Sequence, residues 1–387
     1  MAAPETASAV ACALVLSYWN VNRPSTGGLR RVDQLLRALG GRARLLQPGP
    51  AHPQLPSFPL PVDFARLRRG TRGLNWGLFD FFWPANVRAV ARAVAAARPA
   101  IVALTSIWPA AALRDPRLPA LLDTHDVNAD AIGARFGERH PFTRLVARQE
   151  ARALRRADRV CTCSALDRDR LVARYGIDGA KICVVPNGVD TEAVAREAGR
   201  PPAPALERAL GGARVLFFMG KPAYQPNAES LRFLAARVLP ELERRAPGRF
   251  RLLVCGGDPP PGLDTTGMVF AGSVPTEELY RCLHRADLCL SPTFSGSGTR
   301  LKVLEFMAAG KPVVATPKGA EGIEATADRE LAICEGDAFA ECILALDADP
   351  ARARALGENA RRRVADRYDW TRAIHPLWRQ AFAPWLG

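Results

Sequence analysis

Residues 286–324 read ADLCLSPTFSGSGTRLKVLEFMAAGKPVVATPKGAEGIE. Leu288-Cys289-Leu290 is a short apolar run of the kind that makes a buried strand, and Ser295-Gly296-Ser297-Gly298 is a turn. Residues 300–309 then carry helical spacing, with Leu301, Leu304 and Met307-Ala308 on one side. Gly310 stands where a helix stops, and a second strand opens at Pro312. Strand, glycine loop, helix, strand is the repeat of a parallel α/β domain. A glycine loop feeding a helix start offers free backbone N–H groups and a positive dipole end to an anion. Arg300 and Lys302 add cations at the same place, and Glu305 lies one turn further in, within reach of a ribose diol. Phosphate, positive charge and sugar hydroxyls together point to a nucleotide.

The same string resembles the donor-binding signature of the GT-B glycosyltransferases, in particular the retaining group 1, or family 4, enzymes. Their pattern runs roughly E-G-x-G-x-x-x-x-E-A-M-A-x-G-x-P-V-V-A. Residues 305–315, EFMAAGKPVVA, match its second half, whereas Ser297 stands where the first glutamate belongs. The variant GSGTRLKVLE is similar to a subgroup that lacks that acid. The resemblance implies an α/β GT-B fold with two Rossmann-like doubly wound domains facing a cleft and a C-terminal helix crossing back to the first domain. The boundaries expected are 1–190 for an acceptor-side domain, 191–212 for a linker, 213–368 for the nucleotide-sugar domain and 369–387 for the crossover helix.

At 387 residues the chain has room for two cores, and 48% apolar with 24% charged residues is a soluble globular composition. No apolar run reaches the ~18–20 residues of a membrane-spanning helix. Residues 9–19 are the most signal-like, but Glu5 precedes them and no basic residue does, so they read as a first buried strand. The net charge of +14 raises nucleic acid as a partner. Against that, Lys181, Lys221, Lys302, Lys311 and Lys318 are the only lysines among 53 basic residues, and the arginines are scattered without interleaved aromatics. Arginine-rich composition therefore ranks first, attraction to an anionic membrane surface second, and nucleic acid last. Of nine cysteines, Cys12, Cys183, Cys255, Cys289 and Cys334 sit in apolar runs, and the Cys161-Thr162-Cys163 pair has no second pair to complete a zinc site. A reduced cytoplasmic protein, peripheral at the inner face of the membrane, is the expectation.

Residues 11–18 form a continuous apolar run followed by a loop holding Gly27 and Gly28, then helical spacing over 29–39. This opening lacks G-x-G-x-x-G, so a dinucleotide cofactor is unsupported. Residues 48–61 read as irregular, and the aromatic-dense 74–83 as core or as an acceptor-contacting surface. The strand expected over 119–126 ends in Thr124-His125-Asp126. Functional groups gather at carboxyl ends of parallel strands, so His125 is a candidate donor or proton shuttle and Asp126 its companion. Residues 135–156 read as one long basic helix containing Glu150, and Pro186-Asn187-Gly188 as a turn, which the resemblance places at the interdomain hinge. A second glycine turn at Gly220 is followed by Lys221 and a helix over 228–245.

Many family members carry an Arg and a Lys after this glycine to hold the diphosphate; only Lys221 follows here, leaving Arg300 and Lys302 as the preferred cations. The resemblance further assigns donor contacts to Gly27, Gly28, Lys221, Val274 (beside the base), Ser297, Gly298, Thr299 and Glu305. Glu321, in the second glycine loop, is either a sugar or ribose contact or a solvated turn residue. Preorganised amides and cations can stabilise a leaving diphosphate directly. Neither Asp167-Arg168-Asp169 nor Asp347-Ala348-Asp349 falls at a strand end as a metal-binding Asp-x-Asp would, so no metal and no cofactor is expected, the nucleotide sugar being a substrate. The implied function is a hexosyltransferase-type enzyme moving a sugar to a saccharide or lipid-linked acceptor in polysaccharide or glycoconjugate synthesis. An inactive nucleotide-sugar-binding scaffold and a nucleotide-sugar epimerase are the alternatives.

Overall fold

A computed structural model of the chain describes residues 11–22, 26–60, 84–296 and 298–387. It divides into two units, Met1–Pro186 with Ile374–Gly387, and Asn187–Ala373. Ser297 and the aromatic stretch 74–83 lie outside the described residues.

The first unit is built on seven parallel strands: β1 (Ala13–Leu16), β2 (Ala43–Pro48), β3 (Ser57–Leu60), β4 (Ile101–Leu104), β5 (Ala120–Asp123), β6 (Arg159–Thr162) and β7 (Ile182–Val184). Their order is β3-β2-β1-β4-β5-β6-β7, so the winding reverses between β1 and β4, the switch point at whose carboxyl edge open α/β sheets place their ligands. Leu16, Leu104 and Leu122 share one row across the sheet, which puts Asp123 at the carboxyl end of central β5. Helices cover both faces, so these strands are apolar without alternation. Helix His375–Leu386 belongs to this unit and packs along helix Gly27–Leu39: His375 Nε2 lies 2.8 Å from Gln34 Oε1, and Arg42 donates to the carbonyls of Leu386 and Gly387.

The second unit repeats the plan with β8 (Arg214–Met219), β9 (Phe250–Cys255), β10 (Met268–Gly272), β11 (Leu288–Ser291), β12 (Val313–Ala315) and β13 (Ala332–Ile333), all parallel in the order β10-β9-β8-β11-β12-β13. Alternate residues of β8 feed separate cores: Val215, Phe217 and Met219 on one face, Leu216 and Phe218 on the other. Each unit is a Rossmann-like doubly wound α/β sheet.

Several local expectations are corrected. Residues 135–156 are not one helix: Asn128–Phe136 ends at Gly137, and Pro141–Arg156 starts afresh with Pro141 in its first turn and the His140 ring accepting from Phe142 N. The span 48–61 contains an edge strand, β3, where Pro59 is tolerated because an edge residue need not donate on both sides. The expected helix 228–245 is interrupted by a π turn, Leu234–Val238, ahead of Pro240, whose missing N–H cannot continue the ladder. The stretch 191–212, expected as a linker or surface helix, folds into helices Thr191–Arg196 and Pro204–Leu210, whose Val194 and Leu210 are buried in the second unit's core. All nine cysteines are free thiols.

Helix Pro350–Arg367 crosses the end of helix Leu301–Ala308 at Gly357, where an added methyl would fall 2.1 Å from the Gly310 carbonyl oxygen. Alanine gains about 1 kcal/mol over glycine inside a helix, but forcing two backbones apart costs about 1–3 kcal/mol. Gly357→Ala is therefore expected to lower the denaturant midpoint; a raised midpoint would show that the helices do not meet there.

Candidate functional site

In the first unit the site grows from the carboxyl ends of β1 and β5. The chain leaves β5 through Thr124-His125-Asp126 and enters helix Asn128–Phe136, and both ends of this loop are pinned. At the far end Glu150 is buried and accepts from the amides of Asn128 (2.7 Å) and Ala129 (3.1 Å) and from the Tyr175 hydroxyl (2.6 Å). Burial raises the Glu150 pKa, and these hydrogen bonds offset only part of the rise. At the near end Asp123 is fully buried against fully buried Arg31. Arg31 Nε lies 3.0 Å from each carboxylate oxygen, Nη2 donates to Oδ1 at 2.7 Å, and Nη1 donates to the Val185 carbonyl at 2.8 Å. Burial opposes both charges, yet the opposite charge beside each, joined at Asp123 by His125, outweighs that cost: Asp123 titrates below its ordinary range and Arg31 above.

His125 projects from this loop with its Nε2 3.2 Å from Asp123 Oδ2, close but without straight hydrogen-bond alignment. Its ring stacks on Trp19 at 5.7 Å and 23°, and its other edge rests on Gly28, where a methyl group would stand 3.0 Å from Nδ1. The structure thus brings together His125, Gly27 and Gly28 at the start of helix Gly27–Leu39, which Thr26 caps by accepting from Leu29 N. Asp126 is held through its main chain, its carbonyl accepting from Thr124 Oγ1 and Asn128 Nδ2. Sequence reasoning missed Arg31 and Asp123. The readable signal was an arginine among Val32, Leu35, Leu36 and Leu39 on the buried face of an amphipathic helix.

In the second unit the site lies at the carboxyl ends of β8 and β11. Gly298 has φ +76°, and helix Leu301–Ala308 starts, among the described residues, with no side-chain cap on its amides. Thr299 Oγ1 is buried and, among the described residues, has no hydrogen-bond partner. Arg300 and Lys302, expected to act alike, are placed differently. The Arg300 guanidinium is folded into its own loop, with Nη2 donating to the carbonyls of Ser295 (3.2 Å) and Gly296 (3.1 Å) and Nε lying 3.5 Å from that of Lys318. Lys302 is half-buried, its ammonium 2.8 Å from Asn227 Oδ1 and 4.3 Å from the centre of the Phe218 ring. Asn227 is wedged against Gly220 and donates to the carbonyl of exposed Lys221, so Gly220, Lys221, Asn227 and Lys302 form one group.

Glu305 is buried and accepts from the Tyr280 hydroxyl at 3.3 Å; Val274 packs on the same core cluster as Tyr280. Glu321 is paired with Lys318 at 2.8 Å, within the turn that Thr316 Oγ1 caps by accepting from Gly319 N. Tyr224 and Phe294 are exposed (54% and 45%) in spite of their size, and the Tyr224 hydroxyl would lie 3.5 Å from a methyl at Gly296, so an aromatic edge borders the loop.

Desolvation, with repulsion from Arg300, brings the Lys302 pKa down to about 7. Between that value and ~10.4 in the unfolded chain, the unfolded state holds the extra proton, so stability rises with pH across this window and the cost of the cation is complete below it. Lys302→Met is expected to raise the unfolding midpoint at pH 6 and to lose most of that gain by pH 10. An equal shift at both pH values would show that the ammonium is not desolvated.

Residues 27–193 match the model described as Glycosyltransferase Family 4, and residues 213–349 match that described as Glycosyl transferases group 1. The D-inositol 3-phosphate glycosyltransferase of Kineococcus radiotolerans is 30% identical over 260 residues, covering 59% of this chain and 58% of its own. The glycogen synthase of Mycobacterium tuberculosis is 28% identical over 242 residues, covering 59% and 55%. The chain thus spans a little over half the length of these curated relatives. Among solved structures, the sucrose-phosphate synthase of Thermosynechococcus elongatus superimposes with a TM-score of 0.70 at 18% identity, covering 97% of this chain and 100% of that one. Anabaena HepE in complex with UDP gives 0.69 at 14%, covering 96% and 98%. This chain belongs to the group 1, family 4 glycosyltransferases of the GT-B fold.

Proposed function

We propose that the chain transfers a hexosyl group from a nucleoside diphosphate sugar to a hydroxyl of a saccharide or lipid-linked acceptor, with retention and without a metal, in polysaccharide or glycoconjugate synthesis. The observation that carries this reading is the Lys302 ammonium held beside the uncapped start of helix Leu301–Ala308, where a diphosphate would restore both its charge and its solvation. As the anomeric bond breaks, negative charge grows on the leaving diphosphate, and amides and a cation already in place stabilise it without reorganising. Arg300 shapes the loop around that charge. Buried Glu305 is assigned to the ribose hydroxyls and Val274 to the edge of the base. Gly27, Gly28 and His125 are assigned to the transferred sugar and acceptor. The relatives fit the reading: HepE has been captured with UDP and with UDP-glucose, and the curated relatives are named as glycosyltransferases or glycogen synthases.

Action at the inner face of the membrane belongs to the same proposal. Helix Pro141–Arg156 turns Arg144, Arg148, Arg152 and Arg155 to solvent at spacings of four, four and three. Each such arginine contributes about 1 kcal/mol of attraction to an anionic leaflet. No helix among the described residues is long and apolar enough to cross a membrane. Flotation with phosphatidylserine vesicles is expected to carry the protein upward at low salt, and R144E/R148E/R152E to abolish this; equal flotation of the variant would remove that face from the proposal.

The reaction itself is tested by offering purified protein a panel of UDP-, GDP- and ADP-sugars with saccharide and polyprenyl-phosphate-linked acceptors. Transfer supports the enzyme; binding without transfer or hydrolysis identifies a scaffold, and interconversion of the donor sugar an epimerase. Glu305→Ala is expected to weaken donor binding by roughly 1–3 kcal/mol, the worth of a hydrogen bond to a charged group. Unchanged donor affinity in calorimetry would take Glu305 out of the donor site.

A further inference from the structure

The Arg31–Asp123 pair is an unusual thing to build into a sheet. A buried ion pair adds little net stability over apolar side chains of equal volume, because desolvating both charges consumes what their attraction returns. Here the pair is placed at the carboxyl end of β5, two residues before His125, with the Trp378 ring 4.9 Å from the guanidinium and the Val185 carbonyl taking a further N–H. Arg31 therefore cannot swing, and Asp123 is fixed by its forked contact. Asp123 Oδ2, which takes one of the Arg31 Nε contacts, also lies 3.2 Å from His125 Nε2.

We propose that Asp123 and Arg31 are positioning residues that set the tautomer and the direction of His125; this rests on the function proposed above. An ionised carboxylate only accepts hydrogen bonds, so it favours the proton on the imidazole nitrogen turned toward it, here 3.2 Å away though off the straight hydrogen-bond line. That nitrogen is Nε2, which leaves the lone pair on Nδ1. The ring is kept in this pose by Trp19 on its face and by the bare backbone of Gly28 at its Nδ1 edge. His125 is thereby assigned the work of an acceptor: it takes a hydrogen bond or a proton from a substrate hydroxyl at Nδ1 and does not donate one there. Gly28 is part of the same device. It stands inside the first turn of helix Gly27–Leu39 without a positive φ, so alanine fits the backbone there and, among the described residues, its methyl would meet only the imidazole within 4 Å.

The test reads the tautomer directly. Long-range 1H–15N spectra of protein with labelled histidine contain five side chains, and the His125→Ala spectrum assigns the one of interest. At a pH where imidazoles are neutral, the expected result is His125 protonated at Nε2, converted to a tautomer mixture in Asp123→Asn and displaced in Gly28→Ala with the other four signals unmoved. Protonation at Nδ1, or a spectrum indifferent to Asp123→Asn, overturns the proposal. If Asp123→Asn does not fold, the wild-type tautomer together with Gly28→Ala still decides.

Turnover supplies the second arm. Asp123→Asn and His125→Ala are each expected to lower kcat about 100-fold, a larger effect than on donor KM, and the double variant to fall no further than the worse single one. Multiplying losses would mean that Asp123 acts on the scaffold and not through His125. The spectra need no substrate, so failure of the donor panel would sink the proposed function while leaving this inference readable. A working transferase with multiplying losses would sink the inference alone.

Discussion

The contact on which the first unit depends is the buried Arg31–Asp123 pair. Four pieces of chain meet at it: helix Gly27–Leu39 supplies the guanidinium, β5 the carboxylate, the segment after β7 the Val185 carbonyl and helix His375–Leu386 the Trp378 ring. Breaking such a pair by removing one partner leaves an uncompensated charge in the core, which costs about 3–5 kcal/mol. Geometry is what the arrangement secures in return. Helix start, strand end and C-terminal helix cannot shift relative to one another without unpairing a charge, and the His125 loop hangs between this anchor and Glu150.

The second unit reaches a comparable fixity with backbone and amides. Gly220 leaves a hollow that Asn227 fills, and Asn227 ties the Lys221 carbonyl on one side and the Lys302 ammonium on the other. Ser291 and Thr316 do the same for the neighbouring glycine turn, Ser291 donating to the Gly319 carbonyl and Thr316 accepting from the Gly319 amide. Loops held by short polar side chains keep their own amides pointed outward, as anion binding requires. The price is a desolvated ammonium at Lys302 with, among the described residues, no carboxylate beside it to offset the loss of water.

Much of this was legible in the sequence because it rests on local rules. Apolar runs bounded by glycine turns marked the strands around 214–219 and 288–291, and EFMAAGKPVVA carried the family. The missed side-chain pairings share one cause: they depend on partners distant along the chain. Arg31 meets Asp123 across 92 positions, and Lys302 meets Asn227 across 75. The break at Gly137–His140 was written in the residues themselves, since glycine followed by a proline-led start is a stop and a restart. Strand β3 was hidden because Pro59 reads as a breaker until the strand is known to lie at an edge. The stretch 191–212 was disguised by its Pro-, Ala-, Glu- and Arg-rich composition, its buried core residues Val194 and Leu210 being too sparse to show a period.

The separation of Arg300 from Lys302 follows from the shapes of their charged groups. From sequence they are two cations two positions apart on one loop, open to the same role. A guanidinium is a rigid fork of five donors and suits a cluster of carbonyls arranged around it, as Ser295, Gly296 and Lys318 present here. An ammonium is a compact point charge whose three donors rotate, and one amide oxygen leaves two of them uncommitted. The residue better able to bind its own loop is spent on the loop, and the residue that a single neighbour cannot satisfy is left for a ligand. A loop this rich in glycine would otherwise sample many conformations, so fixing it with Arg300 lowers the ordering cost of whatever anion Lys302 meets.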